Sequence, residues 1–346
     1  MAVTGTGVVG VAMGDDGAIN LAVGVDIEIT RHAIQALGPH LQPLVGMVFK
    51  SAQTWCHAPN LNRRAAVSLI QSGVVRVFEK WALGIHHGPA NSVLVTGMNG
   101  EVAVLDANLV EQCRWTAHEG SVNVLRVVDG QVWTGGGDGL VKCWDWDTLE
   151  PVATFAGPKK PVTSLFFEGA LVIAQSHDRA VFVWDRGAPD DTPRKIAKIA
   201  ALARTEAGWF ACPKTGSKAG NIGSLARFDL VSGSFGDDVF DDGFGAWSLV
   251  AVSGRGLLAF GLDLAACWLD VSAARRTPIP WHSKSGPPHF LAIKDGSDVF
   301  FGDGKIYHNA GEQPGPIKGL YCAIQLADNR IAISGADGQV WLFKTP

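Results

Sequence analysis

Short runs of alternating apolar and polar residues, separated by glycine-containing turns, follow one another along most of the chain. The segment 92–106 is representative, because SVLVTGMNGEVAVLD places Asn99 and Gly100 between two such runs. A period of two is the pattern of a β-strand, and an Asn-Gly or Asp-Gly pair between two runs favours a tight hairpin turn. The pattern therefore predicts an all-β protein made of short antiparallel strands.

These hairpins recur with a regular spacing. Four pairs of identical residues stand 40 positions apart in two consecutive segments: Val122 and Val162, Asp138 and Asp178, Trp144 and Trp184, and Asp145 and Asp185. A repeat of this length accommodates a four-stranded sheet, and such a sheet must bury both faces against its neighbours. The spacing predicts an array of blades that closes into a ring, since an open array leaves exposed strand edges.

The first of these two units resembles the WD-repeat family. In that family a hydrogen-bonded set of His, Ser or Thr, Asp and Trp stabilises each blade, and the matching residues here are His118, Thr134, Asp138 and Trp144. The next unit retains Asp178 and Trp184 but has an alanine in the threonine position. The resemblance implies a β-propeller, and it gives these six residues a structural role.

The number of blades follows from the predicted first strands. These begin near residues 44, 82, 122, 162, 202, 246, 289 and 320, which favours eight blades over seven and seven over nine. Residues 74–78 are interpreted as the outer strand of the first blade, and the last unit ends at its third strand. We expect an N-terminal strand, 8–13 or 18–29, to complete the last blade and close the ring. The whole chain, 1–346, is then a single propeller domain, in which 1–40 is a closing segment or a weak extra blade and 41–346 forms the blades.

Composition narrows the class of partner. The net charge of -4 gives no excess of positive charge for nucleic acid or a membrane surface, so we expect neither as a direct partner. The six cysteines include no CxxC pair, which favours buried thiols in a reducing compartment over disulfides or a zinc site. With no predicted signal peptide or membrane span, the expected location is the cytoplasm, with the nucleus as the alternative. We expect no metal and no cofactor.

Two loops have a length or a composition that a simple turn between strands does not need. The segment 212–223 is much longer than the other turns between second and third strands, and it carries Lys214 and Lys218. It is either a partner-binding extension or a tolerated surface insertion, because loop length adds little to the cost of folding.

The second loop, 235–247, combines carboxylates with aromatic residues. They are Asp237, Asp238, Phe240, Asp241, Asp242 and Trp247. This composition suits a basic peptide segment, through charge pairing and aromatic anchoring. The alternative is a solvated acidic loop whose aromatic side chains are buried. Trp281, in another loop between blades, is a further candidate contact or a residue that packs its strand against a neighbour.

The chain contains no GxSxG, Walker or HExxH motif, so we expect no enzyme activity. The predicted function is that of a protein–protein interaction scaffold or adaptor, a single subunit within a larger hetero-complex that binds partners through loops on one propeller face. The alternative is a propeller enzyme or small-molecule binder that uses the central channel.

Overall fold

The structure, a computed structural model, describes residues 69–344 except 197, 217–220, 283–287, 294–297, 309–310 and 318, together with two short strands nearer the N-terminus. The chain divides into two compact units, Met1–Arg63 and Arg64–Pro346. In the first unit, β1 (Val11–Met13) pairs antiparallel with β2 (Ile19–Leu21). The second unit contains the described residues from 69 onwards.

The second unit is built of seven four-stranded antiparallel sheets, which we call blades 1–7. Its first strand, β3 (Ile70–Arg76), belongs to blade 7. The strands of the next three blades are, in blade 1, β4 (Ala82–His87), β5 (Val93–Gly97), β6 (Glu101–Leu105) and β7 (Glu111–Thr116); in blade 2, β8 (Val122–Val128), β9 (Gln131–Gly136), β10 (Val141–Trp144) and β11 (Pro151–Phe155); in blade 3, β12 (Val162–Glu168), β13 (Leu171–Ser176), β14 (Val181–Asp185) and β15 (Arg194–Ile196). A single 3-10 turn, Pro89–Asn91, lies between β4 and β5.

The remaining blades repeat this order. Their strands are, in blade 4, β16 (Ile199–Thr205), β17 (Gly208–Pro213), β18 (Ala226–Asp229) and β19 (Ser234–Asp238); in blade 5, β20 (Ala246–Val252), β21 (Gly256–Gly261), β22 (Ala265–Asp270) and β23 (Arg275–His282); in blade 6, β24 (His289–Ala292), β25 (Asp298–Gly302), β26 (Lys305–His308) and β27 (Gly311–Pro314); in blade 7, β28 (Leu320–Gln325), β29 (Ile331–Gly335) and β30 (Gln339–Lys344), followed by β3. Within each blade, strands adjacent in this order are adjacent in the sheet.

The architecture is an all-β propeller of seven blades, so the preference for eight was wrong. The extra predicted blade is the one that begins near residue 44 and ends with the strand 74–78. Its final part is β3, which pairs antiparallel with β30, with Val75 opposite Val340. The outer strand of the last blade is therefore Ile70–Arg76, and neither 8–13 nor 18–29 supplies it. Residues 44–68 lie outside the described part of the chain.

Side-chain alternation explains how the blades pack. In β9, Val132 joins a hydrophobic cluster shared with blade 1, whereas its neighbour Trp133 joins a cluster shared with blade 3. Successive residues of a strand point to opposite faces of the sheet, so each blade presents an apolar face to each neighbour. Seven clusters of this kind connect the blades in order, and one of them joins Val340 and Leu342 of blade 7 to Ile85 and Val95 of blade 1.

Candidate interaction surface

The four residues that match the WD-repeat set form one hydrogen-bonded chain inside blade 2. The indole Nε1 of Trp144 donates to Oγ1 of Thr134, 2.8 Å away, and Nε2 of His118 lies 2.8 Å from the same oxygen. Nδ1 of His118 lies 2.9 Å from Oδ1 of Asp138. Burial lowers the pKa of His118, against the opposing effect of Asp138. The imidazole is therefore neutral at neutral pH. The hydrogen-bonded series of side chains links a loop, a strand and a turn without an ionised histidine.

In blade 3, the matching Asp and Trp residues are held by different hydrogen bonds. Ser176 Oγ donates to Oδ1 of Asp178 at 2.5 Å, and this bond lowers the pKa of the carboxyl group. Because Ala174 offers no hydroxyl, Nε1 of Trp184 donates instead to the carbonyl oxygen of Ala156, 3.1 Å away, in the loop that follows blade 2. Asp178 and Trp184 thus stabilise a turn and a blade junction, respectively.

One end of the propeller carries the loops between blades and the turns between second and third strands; we call it the loop end. These two kinds of segment are hydrogen-bonded to each other through their backbones, in the pairs Ala117 and Gly100, Gly137 and Ser121, His177 and Pro161, Lys214 and Lys198, Leu225 and Phe244, Gly315 and Gly304, Ala336 and Gly319, and Val77 and Gly338. The loops and turns of the loop end therefore hold one another in place above the strands of the blades. Loops that a scaffold positions in this way are suited to recognition.

The long turn 212–223 lies at the loop end, but only part of it is described. Nζ of Lys214 donates to the carbonyl oxygen of Asn221 at 3.2 Å, and Lys214 forms a β-bridge with Ile222. The lysine is thus engaged within its own turn. Lys218 lies outside the described residues.

The acidic segment has its carboxylates exposed and its phenylalanines turned inward. Asp237 and Asp238 end β19 and are exposed, as is Asp241. The exposed Asp242 forms an ion pair with Arg276. The same guanidinium lies over the ring of Phe240, 5.4 Å from its centroid, and the arginine thereby neutralises part of the acidic charge.

The aromatic candidates do not form one patch. Phe240 is 5% exposed and packs against Phe244, with ring centroids 5.6 Å apart. Trp247 lies on β20 and is partly buried, beside a cavity that is open to solvent. Trp281 is 2% exposed and packs edge-on against Tyr307, so it holds β23 against blade 6 and offers no surface to a partner.

An exposed aromatic patch, missed by the sequence reasoning, lies elsewhere on the loop end. Trp81 is 43% exposed and its ring stacks on that of Tyr321, with centroids 5.8 Å apart. Met98 is 45% exposed, and its backbone N–H donates to the carbonyl oxygen of Trp81 at 2.9 Å. We call Trp81, Met98 and Tyr321 the aromatic patch. The available clue was a tryptophan placed in a connection between blades instead of inside a strand.

The described residues hold no group of three or more His, Cys, Asp or Glu side chains arranged to bind a metal ion. In this part of the chain, no helix is long and apolar enough to cross a membrane.

Comparisons with known proteins bear on the repeat and the fold. A family model described as WD domain, G-beta repeat, matches residues 149–185, which run from the outer strand of blade 2 through the third strand of blade 3. No curated protein matches the sequence. Among solved structures, the chain is similar to the computationally designed Ika8 protein, crystal packing No. 1 in P63, with 16% identity and a TM-score of 0.56. The alignment covers 80% of this chain and 99% of that one, and at this identity the likeness concerns the fold alone.

Proposed function

We propose that this chain, a WD-repeat β-propeller by its repeat match and its seven blades, is a scaffold or adaptor that binds a protein partner through its loop end. Propellers of this family generally mediate protein–protein interactions and are typically not enzymes. The observation that carries the proposal is the aromatic patch, where the ring of Trp81 stacks on Tyr321 beside the exposed side chain of Met98.

The chemistry of the aromatic patch favours protein binding. Tryptophan and tyrosine are enriched among the interface residues that contribute most to affinity, and methionine adapts its shape to irregular partners. Trp81 is already held by Tyr321, so binding does not have to order a free tryptophan side chain. The ring of Trp81 is large, apolar and exposed at the loop end. Covering it with a partner removes apolar surface from water, which favours binding.

The exposed carboxylates of the segment 235–247 favour a partner with a basic segment. Asp237, Asp238 and Asp241 are exposed, whereas Asp242 is neutralised by Arg276. Exposed carboxylates mainly accelerate encounter and select the partner, and their effect weakens with salt. We therefore assign affinity to the aromatic patch and selection to the three carboxylates.

A closed ring would hold the aromatic patch and the three carboxylates at a fixed distance from each other. We propose that β3 closes this ring. Three features support closure: the pairing of β3 with β30, the hydrophobic cluster that joins blades 7 and 1, and the backbone N–H groups of Val77 and Phe78, both 3.0 Å from the carbonyl oxygen of Gly338.

Affinity capture with the tagged full-length chain tests the interaction. We expect Trp81→Ala combined with Met98→Ala to lose partners that the wild type retains. Val231→Ala is the matched control, because Val231 is 80% exposed at the opposite end, in the turn between β18 and β19. If both variants capture the same proteins in the same amounts as the wild type, the aromatic patch does not bind the partner.

A second comparison tests the charge. Replacing Asp237, Asp238 and Asp241 with asparagine should weaken capture and make it less sensitive to salt. The control replaces Asp190 and Asp191, two exposed carboxylates in the turn between β14 and β15 at the opposite end. An equal loss in the two sets would indicate a nonspecific charge effect and contradict a basic partner at the loop end.

A further inference from the structure

The first strands of blades 2–5 surround a cavity of about 410 Å³, which we call the axial cavity. Its lining includes Arg126, Arg179, Arg204 and Trp247, together with the apolar residues 200–203. Pockets that bind small molecules usually have volumes of about 300–1,000 Å³. The axial cavity is therefore large enough for a small organic molecule.

Two of the three arginines in this cavity have no carboxylate partner among the described residues. Arg126 donates from Nη1 to the carbonyl oxygen of Leu125 at 2.8 Å, and Arg179 donates from Nη1 to that of Ala200 at 2.8 Å. Arg204, in contrast, binds the carboxylate of Glu168 through Nε at 2.5 Å and Nη2 at 3.1 Å. The positive charge of the cavity thus comes from Arg126 and Arg179, each with further N–H groups to donate.

The surroundings partly desolvate these two guanidinium groups. Arg126 is exposed to solvent, although partial desolvation by the surrounding protein lowers the pKa of its guanidinium. Burial lowers the pKa of Arg179 as well. For His86, burial first and Arg126 second lower the pKa to about 3, so this histidine adds no charge at neutral pH. A charge that is partly withdrawn from water is stabilised when an opposite charge approaches it.

We propose that the axial cavity binds a small molecule that carries a phosphate group, held by Arg126 and Arg179. A phosphate monoester has a charge between about -1.5 and -2 near pH 7, which matches two guanidinium groups. The planar fork of each arginine presents two parallel N–H donors to phosphate oxygens. Arg204 takes no part, because Glu168 already occupies its donors. This ligand site is separate from the aromatic patch.

Titration calorimetry on the full-length chain tests the site with pyrophosphate, orthophosphate and malonate as probes, at constant ionic strength set with chloride. We expect both phosphate probes to bind and malonate to bind more weakly. Arg126→Gln and Arg179→Gln should each weaken pyrophosphate binding at least about tenfold, because each removes charge-assisted hydrogen bonds. Arg126→Lys keeps the charge without the fork and should fall between the wild type and Arg126→Gln.

The matched control is Arg275→Gln, which removes the same charge from an arginine whose side chain is 72% exposed on β23. It should bind pyrophosphate as the wild type does. Thermal unfolding of each variant shows whether it is folded, and Arg126→Lys tests the site even where a glutamine variant fails to fold. The proposal is overturned if the wild type binds neither phosphate probe at millimolar concentration, if the arginine variants bind like the wild type, or if malonate binds as tightly as pyrophosphate.

Discussion

The hydroxyl oxygen of Thr134 lies 2.8 Å from Nε2 of His118 in the interior of blade 2. Because an indole N–H can only donate, Trp144 uses the oxygen of Thr134 as its acceptor. The carboxylate of Asp138 can only accept, so the neutral histidine donates to it from Nδ1, and Nε2 accepts the proton of Thr134. Asp138 therefore sets the tautomer of the histidine, and the hydroxyl group of Thr134 links its ring to Trp144.

Loss of this hydroxyl should destabilise the fold. Thr134→Val keeps the shape but leaves the buried nitrogens of His118 and Trp144 without a partner, so the free energy of unfolding should fall by about 2–5 kcal/mol. Thr134→Ser keeps the hydroxyl and should cost no more than about 1 kcal/mol, mainly through the lost methyl group. Denaturant unfolding of both variants provides the measurement. Equal losses in the two variants would show that packing, and not hydrogen bonding, explains the threonine.

Stability should decrease in mild acid because of buried histidines. Burial lowers the pKa of His289 to about 4, from 6.5 in an unfolded chain. The unfolded state binds the proton more readily, so the contribution of His289 is complete above pH 6.5 and is lost as the pH falls towards 4. His289→Gln should show a smaller loss of stability than the wild type between about pH 7 and pH 5. A wild type with no such loss over this range would contradict the lowered pKa.

The turn between β29 and β30 in blade 7 requires a glycine. Gly338 has a φ of +79°, and a Cβ atom there would overlap the carbonyl oxygens of Phe78 and Lys80 in the loop that leads into blade 1. Gly130 has a similar φ of +77° and open space around its Cβ position, so Gly130→Ala measures the backbone cost alone, roughly 1–2 kcal/mol. Gly338→Ala should lower the free energy of unfolding by a further 1–3 kcal/mol or so. Equal costs at the two positions would contradict close contact between blades 7 and 1.

Truncation separates β3 from the residues before it. A chain that starts at residue 64 keeps every strand of the seven blades, and we expect its thermal midpoint to stay close to that of the full chain. A chain that starts at residue 77 lacks β3 and exposes the edge of β30, so we expect it to unfold at lower temperature and to aggregate. If the two truncated chains have the same midpoint, β3 contributes nothing to closure.

The repeat and the position of most blades could be predicted from the sequence because they depend on local patterns. First strands expected near 82, 122, 162, 246, 289 and 320 begin at or next to those residues, since alternation and turn glycines are short-range features. The partner of β3 could not be predicted in this way. Its alternating pattern fits the edge of any sheet, and its pairing with β30 joins residues near opposite ends of the second unit.

The candidate surface was harder to predict for a similar reason. Trp81 and Tyr321 are far apart in sequence and come together only because blades 7 and 1 are neighbours. Conversely, Phe240 stands in a loop, and Trp281, which was expected in a loop, lies on β23, yet both are buried. An aromatic residue in a loop can reach an adjacent blade, and its position along the chain does not reveal the direction of its side chain. The two unpaired arginines of the axial cavity carried no sequence pattern, because their surroundings come from four different blades.

Hydrogen exchange of the full-length chain, with and without a partner captured by the wild type, tests the interaction account most directly. We predict slower exchange in the complex at the loop end, for the amides of 78–81, 98–100 and 320–321, which surround the aromatic patch. The turns at the opposite end, such as 106–110 and 230–233, should exchange at unchanged rates. Protection confined to these opposite turns would contradict binding through the loop end.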